Sequence, residues 1–149
     1  MRKVYWITGL ILLVVGFFFF KPFLTGNILG EGNEERLTIP LSEITGQAKF
    51  YDYKIDGTTI SFFAVKASDG SIKTGFDACD VCYSSKKGYR QEGNYMVCNN
   101  CGNKYPINGI GTENKNPGGC WPGYLPSKSD GENLLIKKSD IEGDGWMFV

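Results

Sequence analysis

The stretch CDVCYSSKKGYRQEGNYMVCNNC, residues 79–101, contains two C-x-x-C pairs, Cys79 with Cys82 and Cys98 with Cys101, separated by 15 residues. That matches the spacing of four-thiolate metal sites. A C-x-x-C turn points both sulfurs to one side, at the separation a tetrahedral metal needs, with metal–sulfur bonds of about 2.3 Å for zinc. Two such turns facing each other complete a tetrahedron, so Cys79, Cys82, Cys98 and Cys101 are the expected metal ligands. Gly102, directly after the second pair, suits the tight backbone of a knuckle, where a left-handed conformation and amide donors aimed at thiolates are both useful. From Asp77 to Pro126 glycines recur every few residues and no helical period is visible. A chain that irregular needs an organising centre.

The spacing leaves the chemistry open. Two disulfides are an alternative if the domain lies in an oxidising compartment, and a thioredoxin-type redox pair is another, though no βαβ pattern accompanies it. Cys120, in Gly118-Gly119-Cys120-Trp121-Pro122-Gly123, is a fifth thiol. It reads as a buried small hydrophobe, an intermolecular contact, or an additional ligand exchanging with one of the four. Asp77 and Asp80 read as exposed turn carboxylates beside the first pair. Tyr89, Arg90 and Glu92 read as a solvated hairpin tip.

Working outward, AKFYDYKI and TTISFFAVKA (48–55 and 58–67) read as strands joined at Asp56-Gly57, a strong two-residue hairpin signal. Phe50, Tyr51, Tyr53, Ile60, Phe62, Phe63 and Val65 are the expected core. A short β segment LTIPLSEI (37–44) precedes the hairpin, and Ser68-Asp69-Gly70-Ser71 is a second turn leading through Ile72 to the cysteines. The tail NLLIKKSDI (133–141), followed by Trp146, Met147 and Phe148, reads as one more strand with apolar ends.

The N-terminus is of a different character. Arg2 and Lys3 precede an uncharged run from Val4 to Phe20, closed by Lys21 and Pro22; as a helix it is about 25 Å long, near the thickness of a bilayer core. Tyr5 and Trp6 sit where interfacial aromatics are found. No small-residue cleavage site follows, so an uncleaved signal-anchor helix is expected. The positive-inside rule sends the rest of the chain outward. The expected organisation is an anchor (residues 1–25), a glycine-rich charged linker (26–36) and an extracytoplasmic cysteine-rich domain (37–149).

Sixteen Lys and Arg balance sixteen Asp and Glu, leaving no electrostatic footprint for nucleic acid. The chain has no histidine, which removes histidine-ligated haem, blue copper, a true Rieske centre and every Ser/His or Cys/His dyad. No general base with a partner, phosphate loop or nucleophile elbow is present, so an enzyme is not expected.

The run FDACDVCYSSKKGYRQEGNYMVCNNCGNKYPINGIGTENKNPGGCWPGYLP, preceded by FFAVKASDGSIKTG, resembles a family of membrane iron–sulfur proteins called FtrD-like, after a component of bacterial ferrous-iron transport systems. The resemblance covers about residues 50–148. It implies an iron–sulfur cluster on Cys79, Cys82, Cys98 and Cys101, with Cys120 in a family-like GGCWPG element, and electron transfer linked to iron uptake through a membrane-protein partner. Members can carry several transmembrane helices, whereas one is expected here. The second half also echoes the loop layout of Rieske domains; with cysteine in place of both histidines, a cluster there would be fully thiolate-ligated and of low potential.

The expectation is thus a mostly β domain with two rubredoxin- or zinc-ribbon-like cysteine loops in a Rieske-like layout behind one transmembrane helix. It would hold an iron–sulfur cluster, or alternatively a single iron or zinc, and act as an electron-transfer protein at the cell membrane. A structural zinc module and a disulfide or thiol metal-delivery domain are the alternatives.

Overall fold

The computed structural model describes residues 34–115 and 118–149. The expected anchor (1–25) and most of the linker lie outside the described residues, among which no helix is long and apolar enough to cross a membrane.

Among the described residues, nine short strands form three antiparallel three-stranded sheets. β2 (Lys49–Ile55), β3 (Thr58–Lys66) and β4 (Ile72–Phe76) form one, with β3 in the middle. β5 (Tyr89–Glu92), β6 (Tyr95–Cys98) and β7 (Lys104–Pro106) form the second, and β1 (Arg36–Pro40), β9 (Asn133–Lys137) and β8 (Lys128–Ser129) the third. The domain is mostly β, as the alternating apolar patterns require.

The Asp56-Gly57 signal is realised as read. Ile55 pairs with Thr58, and the two turn residues both take positive φ, 48° and 82°, the mirror-image turn whose twist suits a hairpin. β3 carries a nearly continuous apolar run because both of its faces are covered. Successive strand side chains point to opposite faces. Ile60, Phe62 and Ala64 enter one apolar cluster with Ile39, Phe76, Leu125, Leu134, Ile136, Ile141 and Met147. Phe63 and Val65 enter another with Tyr89, Met96, Ile107, Ile110 and three cysteines, Cys79, Cys98 and Cys120. Burying each such large side chain stabilises the fold by about 1.5–3 kcal/mol. Ile39 lies on β1 and Leu134 and Ile136 on β9; Tyr89 lies on β5 and Met96 on β6. β3 is therefore the wall shared by the two cores.

Three expectations are corrected. Phe50 is not core: β2 is an edge strand and Phe50 is 43% exposed, its ring tilted against Phe63 at 5.8 Å. Tyr51 and Tyr53 are half-buried against the first cluster, with Tyr51 stacked on Phe62 at 5.4 Å. The tail is not one strand: β9 ends at Lys137, a short helix α1 (Lys138–Gly143) follows, and a 3₁₀ turn covers Gly145–Phe148. Turning the chain there buries Ile141 and Met147 in the first cluster, which a continued strand would carry away from it. The early segment likewise stops at Pro40 and becomes a 3₁₀ turn, Leu41–Glu43.

Candidate metal centre

The five cysteines are delivered by three local devices. Cys79 and Cys82 lie just beyond β4. The Cys82 amide donates to the Cys79 sulfur at 3.2 Å and the Tyr83 amide to the Cys79 carbonyl at 3.0 Å, the tight turn that a C-x-x-C knuckle needs. Ser85 Oγ donates to the Cys82 carbonyl at 2.7 Å. Cys98 ends β6, and the loop to β7 folds back on it through Gly102 N to Cys98 O at 2.9 Å and Cys98 N to Asn103 O at 3.0 Å. Gly102 has φ 77°, so the left-handed position expected there is occupied.

Cys120 arrives on a third segment held by its backbone. Phe76 N donates to Gly123 O at 2.9 Å and Gly123 N to Ala78 O at 2.8 Å, laying residues 120–123 against the exit of β4. Gly118 and Gly119 approach with φ 133° and 73°, angles that side chains oppose. Asn114, buried, donates to the Pro122 carbonyl at 2.8 Å and accepts from Gly111 N.

The five thiols converge. The sulfurs of Cys79, Cys82 and Cys120 lie within 4.8 Å of one another, and so do those of Cys82, Cys98 and Cys101. Cys82 is common to both groups, and its sulfur is 3.5 Å from that of Cys120. Cys79, Cys98 and Cys120 are buried, Cys82 is half-buried and Cys101 is exposed. The two pairs named from the sequence are thus brought together, and the fifth thiol stands among them.

The surroundings tune the thiols unequally. Asn100 Nδ2 donates to Cys82 Sγ at 3.4 Å; this bond first, and Cys120 next, pull the Cys82 thiol down to about 7, which favours its thiolate. Burial pushes Cys98 up, against the amides of Cys101 and Asn100. Burial, with the neighbouring Cys82 and Cys101 thiols, pushes Cys120 up as well.

Two residues beside the centre were misread from the sequence. Tyr89 is no solvated tip. It is 5% exposed, pairs across the sheet with Cys98, and donates its hydroxyl to the Cys120 carbonyl at 2.6 Å; burial, then contact with Cys79, raises its pKa. The tip is Gly93-Asn94, because Glu92 pairs with Tyr95. Asp77 is half-buried and accepts from the Tyr89 amide at 2.6 Å, and burial pushes its carboxyl up to about 6. Asp80 is exposed, as expected. Asn100 was missed altogether. The one available signal for Tyr89 was two-residue alternation, which places it opposite Cys98 once Gly93-Asn94 is taken as the turn.

Second-layer bonds fasten one cysteine loop to the other. Asn99 N donates to Gly88 O at 3.0 Å, Asn99 Nδ2 to Lys87 O at 2.8 Å, and Arg90 Nη1 to Asn99 Oδ1 at 2.8 Å. Asn99, in the second cysteine loop, is therefore tied to residues 87–90, the segment that follows the first.

The donor set fits an iron–sulfur group in kind: all sulfur, with amide and side-chain donors aimed at the thiols and an apolar wall of Phe63, Val65 and Met96 behind. No four of the five sulfurs lie within 4.8 Å of one another. A closed structural zinc site asks for four.

A family model described as membrane iron–sulfur containing protein, FtrD-like, matches residues 44–148. No curated protein matches the chain.

Proposed function

Since the chain belongs to the FtrD-like family of membrane iron–sulfur containing proteins, we propose that it is a membrane-anchored electron-transfer protein whose domain lies outside the cytoplasm and passes electrons to a membrane partner handling ferrous iron. The observation that carries this reading is the pair of three-sulfur groups sharing Cys82. Neither group offers a metal the four sulfurs of a closed site, and in iron–sulfur clusters inorganic sulfide fills the corners that the cysteines leave open. When bound, a cluster supplies one-electron storage.

The chain's own residues do the rest. Cys79 and Cys98 anchor the centre in the apolar cluster behind β3. Tyr89 fixes the Cys120 segment, and Asn100 with the Cys82 amide donates to sulfur, bonds that stabilise thiolate charge and raise a centre's potential. Cys101 is exposed, which brings one side of the centre close to the surface, as electron exchange with a partner demands. Val81 (60% exposed), next to Cys82 in the chain, and Trp146 (46%), edge-on to Tyr83 at 5.1 Å, stand in the open. They give a partner an apolar rim to dock on.

The reading is tested by a redox titration of the full chain in detergent, purified without oxygen and followed by its visible spectrum. A visible absorption that bleaches and returns reversibly over one electron is the expected result. A colourless protein carrying zinc and showing no redox transition sinks electron transfer and leaves a structural module.

A further inference from the structure

Cys120 has no place in a C-x-x-C pair, yet its segment is braced on several sides. It is fixed by the two backbone bonds of Gly123, to Phe76 and Ala78, by the buried Asn114 on Pro122, and by the Tyr89 hydroxyl on its own carbonyl. The two glycines before it hold φ angles that side chains oppose. The product of this bracing is a sulfur 3.5 Å from that of Cys82 and within 4.8 Å of that of Cys79. A tetrahedral metal with bonds of about 2.3 Å requires its sulfurs about 3.8 Å apart. The triad is therefore near ligating geometry as it stands.

The second triad, Cys82, Cys98 and Cys101, meets the same test. The two groups overlap only in Cys82, the half-buried member at the junction. A thiolate can bridge two metals. A single tetrahedral ion would use four sulfurs and leave a fifth idle at bonding range of another thiol, an arrangement prone to disulfide formation wherever thiols oxidise.

We infer that Cys120 is a ligand, and that the five cysteines form two three-sulfur half-sites, Cys79/Cys82/Cys120 and Cys82/Cys98/Cys101, built to hold two metal ions with Cys82 shared between them. This deepens the reading above and rests on its premise that the thiols bind metal.

Cobalt(II) tests the inference, because thiolate ligation gives it intense near-ultraviolet charge-transfer bands that count sulfurs without any cluster assembly. The full chain in detergent, freed of metal under anaerobic conditions, is titrated alongside Cys120→Ser, Cys98→Ser and Cys82→Ser. The unaltered chain saturates at two equivalents. Cys120→Ser and Cys98→Ser each bind half as much, having lost opposite half-sites, while Cys82→Ser is weakened at both. Saturation of the unaltered chain at one equivalent overturns the inference and needs no variant to fold. So does Cys120→Ser taking up two equivalents with unchanged bands. Either of those results leaves the thiolate-centre reading standing, whereas an unaltered chain that binds no cobalt removes both.

Discussion

The two faces of β3 are built from alternating residues of one strand and serve different ends. Toward the first cluster it sends Ile60, Phe62 and Ala64 into a core made of carbon side chains, with one methionine, Met147. Toward the second it sends Phe63 and Val65 into a core in which three of the buried members are cysteines. The first face is complete once its side chains are packed. The second is assembled from short strands and loops around converging sulfurs, and under the proposed thiolate centre part of its stability comes from what those sulfurs bind. On that proposal a single strand couples a self-sufficient core to a metal-dependent one.

The largest effect belongs to the self-sufficient face. Phe62→Ala should cost about 3–5 kcal/mol in denaturant unfolding, since a fully buried aromatic leaves a cavity, while the protein that still folds keeps its metal. Loss of metal without loss of stability would break the comparison. Removing the metal comes next. A chelator should lower stability by about 3–4 kcal/mol if metal is normally present at 100–1,000 times its dissociation constant, and hydrogen exchange should quicken in β5–β7 well before β1 and β9. Uniform quickening across all three sheets would show that the two cores are one unit.

Gly88→Ala is smaller and local. Gly88 has φ 60°, and a side-chain carbon there would overlap the Asp77 carboxylate. A cost of about 1–2 kcal/mol from the left-handed backbone alone is expected, with the Asp77–Tyr89 bond displaced. Tyr89→Phe removes one buried hydroxyl and its bond to the Cys120 carbonyl. About 1 kcal/mol should be lost, together with a shift in the centre's visible spectrum that Phe62→Ala does not produce. Glu92→Gln breaks ion pairs to Arg90 and Lys104, all exposed. The melting temperature should be unchanged within error, since exposed pairs contribute little.

What was legible in the sequence follows from how local each feature is. The Asp56-Gly57 hairpin and the left-handed Gly102 were readable because both depend on the backbone angles of one or two residues. The four paired cysteines were readable because their spacing is the geometry. Tyr89 and Asp77 were not, since a tyrosine beside arginine and glutamate on a four-residue strand is solvated or buried according to which sheet it docks against. Cys120 could be named from the sequence only as one alternative for an additional ligand, for the same reason. Its neighbours Cys79 and Cys82 are 38 residues or more away in sequence, and only the pairing of Gly123 with Phe76 and Ala78 brings them together. The turn into α1 was missed because Lys137-Lys138-Ser139-Asp140 continues a strand or starts a helix equally well, and burial of Ile141 decides between them.

Iron and acid-labile sulfide analysis of the full chain, purified without oxygen and compared with Cys79→Ser and Cys98→Ser, tests the central claim most directly. Iron and sulfide together are expected in the unaltered chain and the loss of both in either variant, because a cluster, unlike a single cobalt ion, draws on both groups of sulfurs and each variant removes a buried sulfur from one of them. Zinc alone, or no metal with the cysteines joined as disulfides, would contradict it.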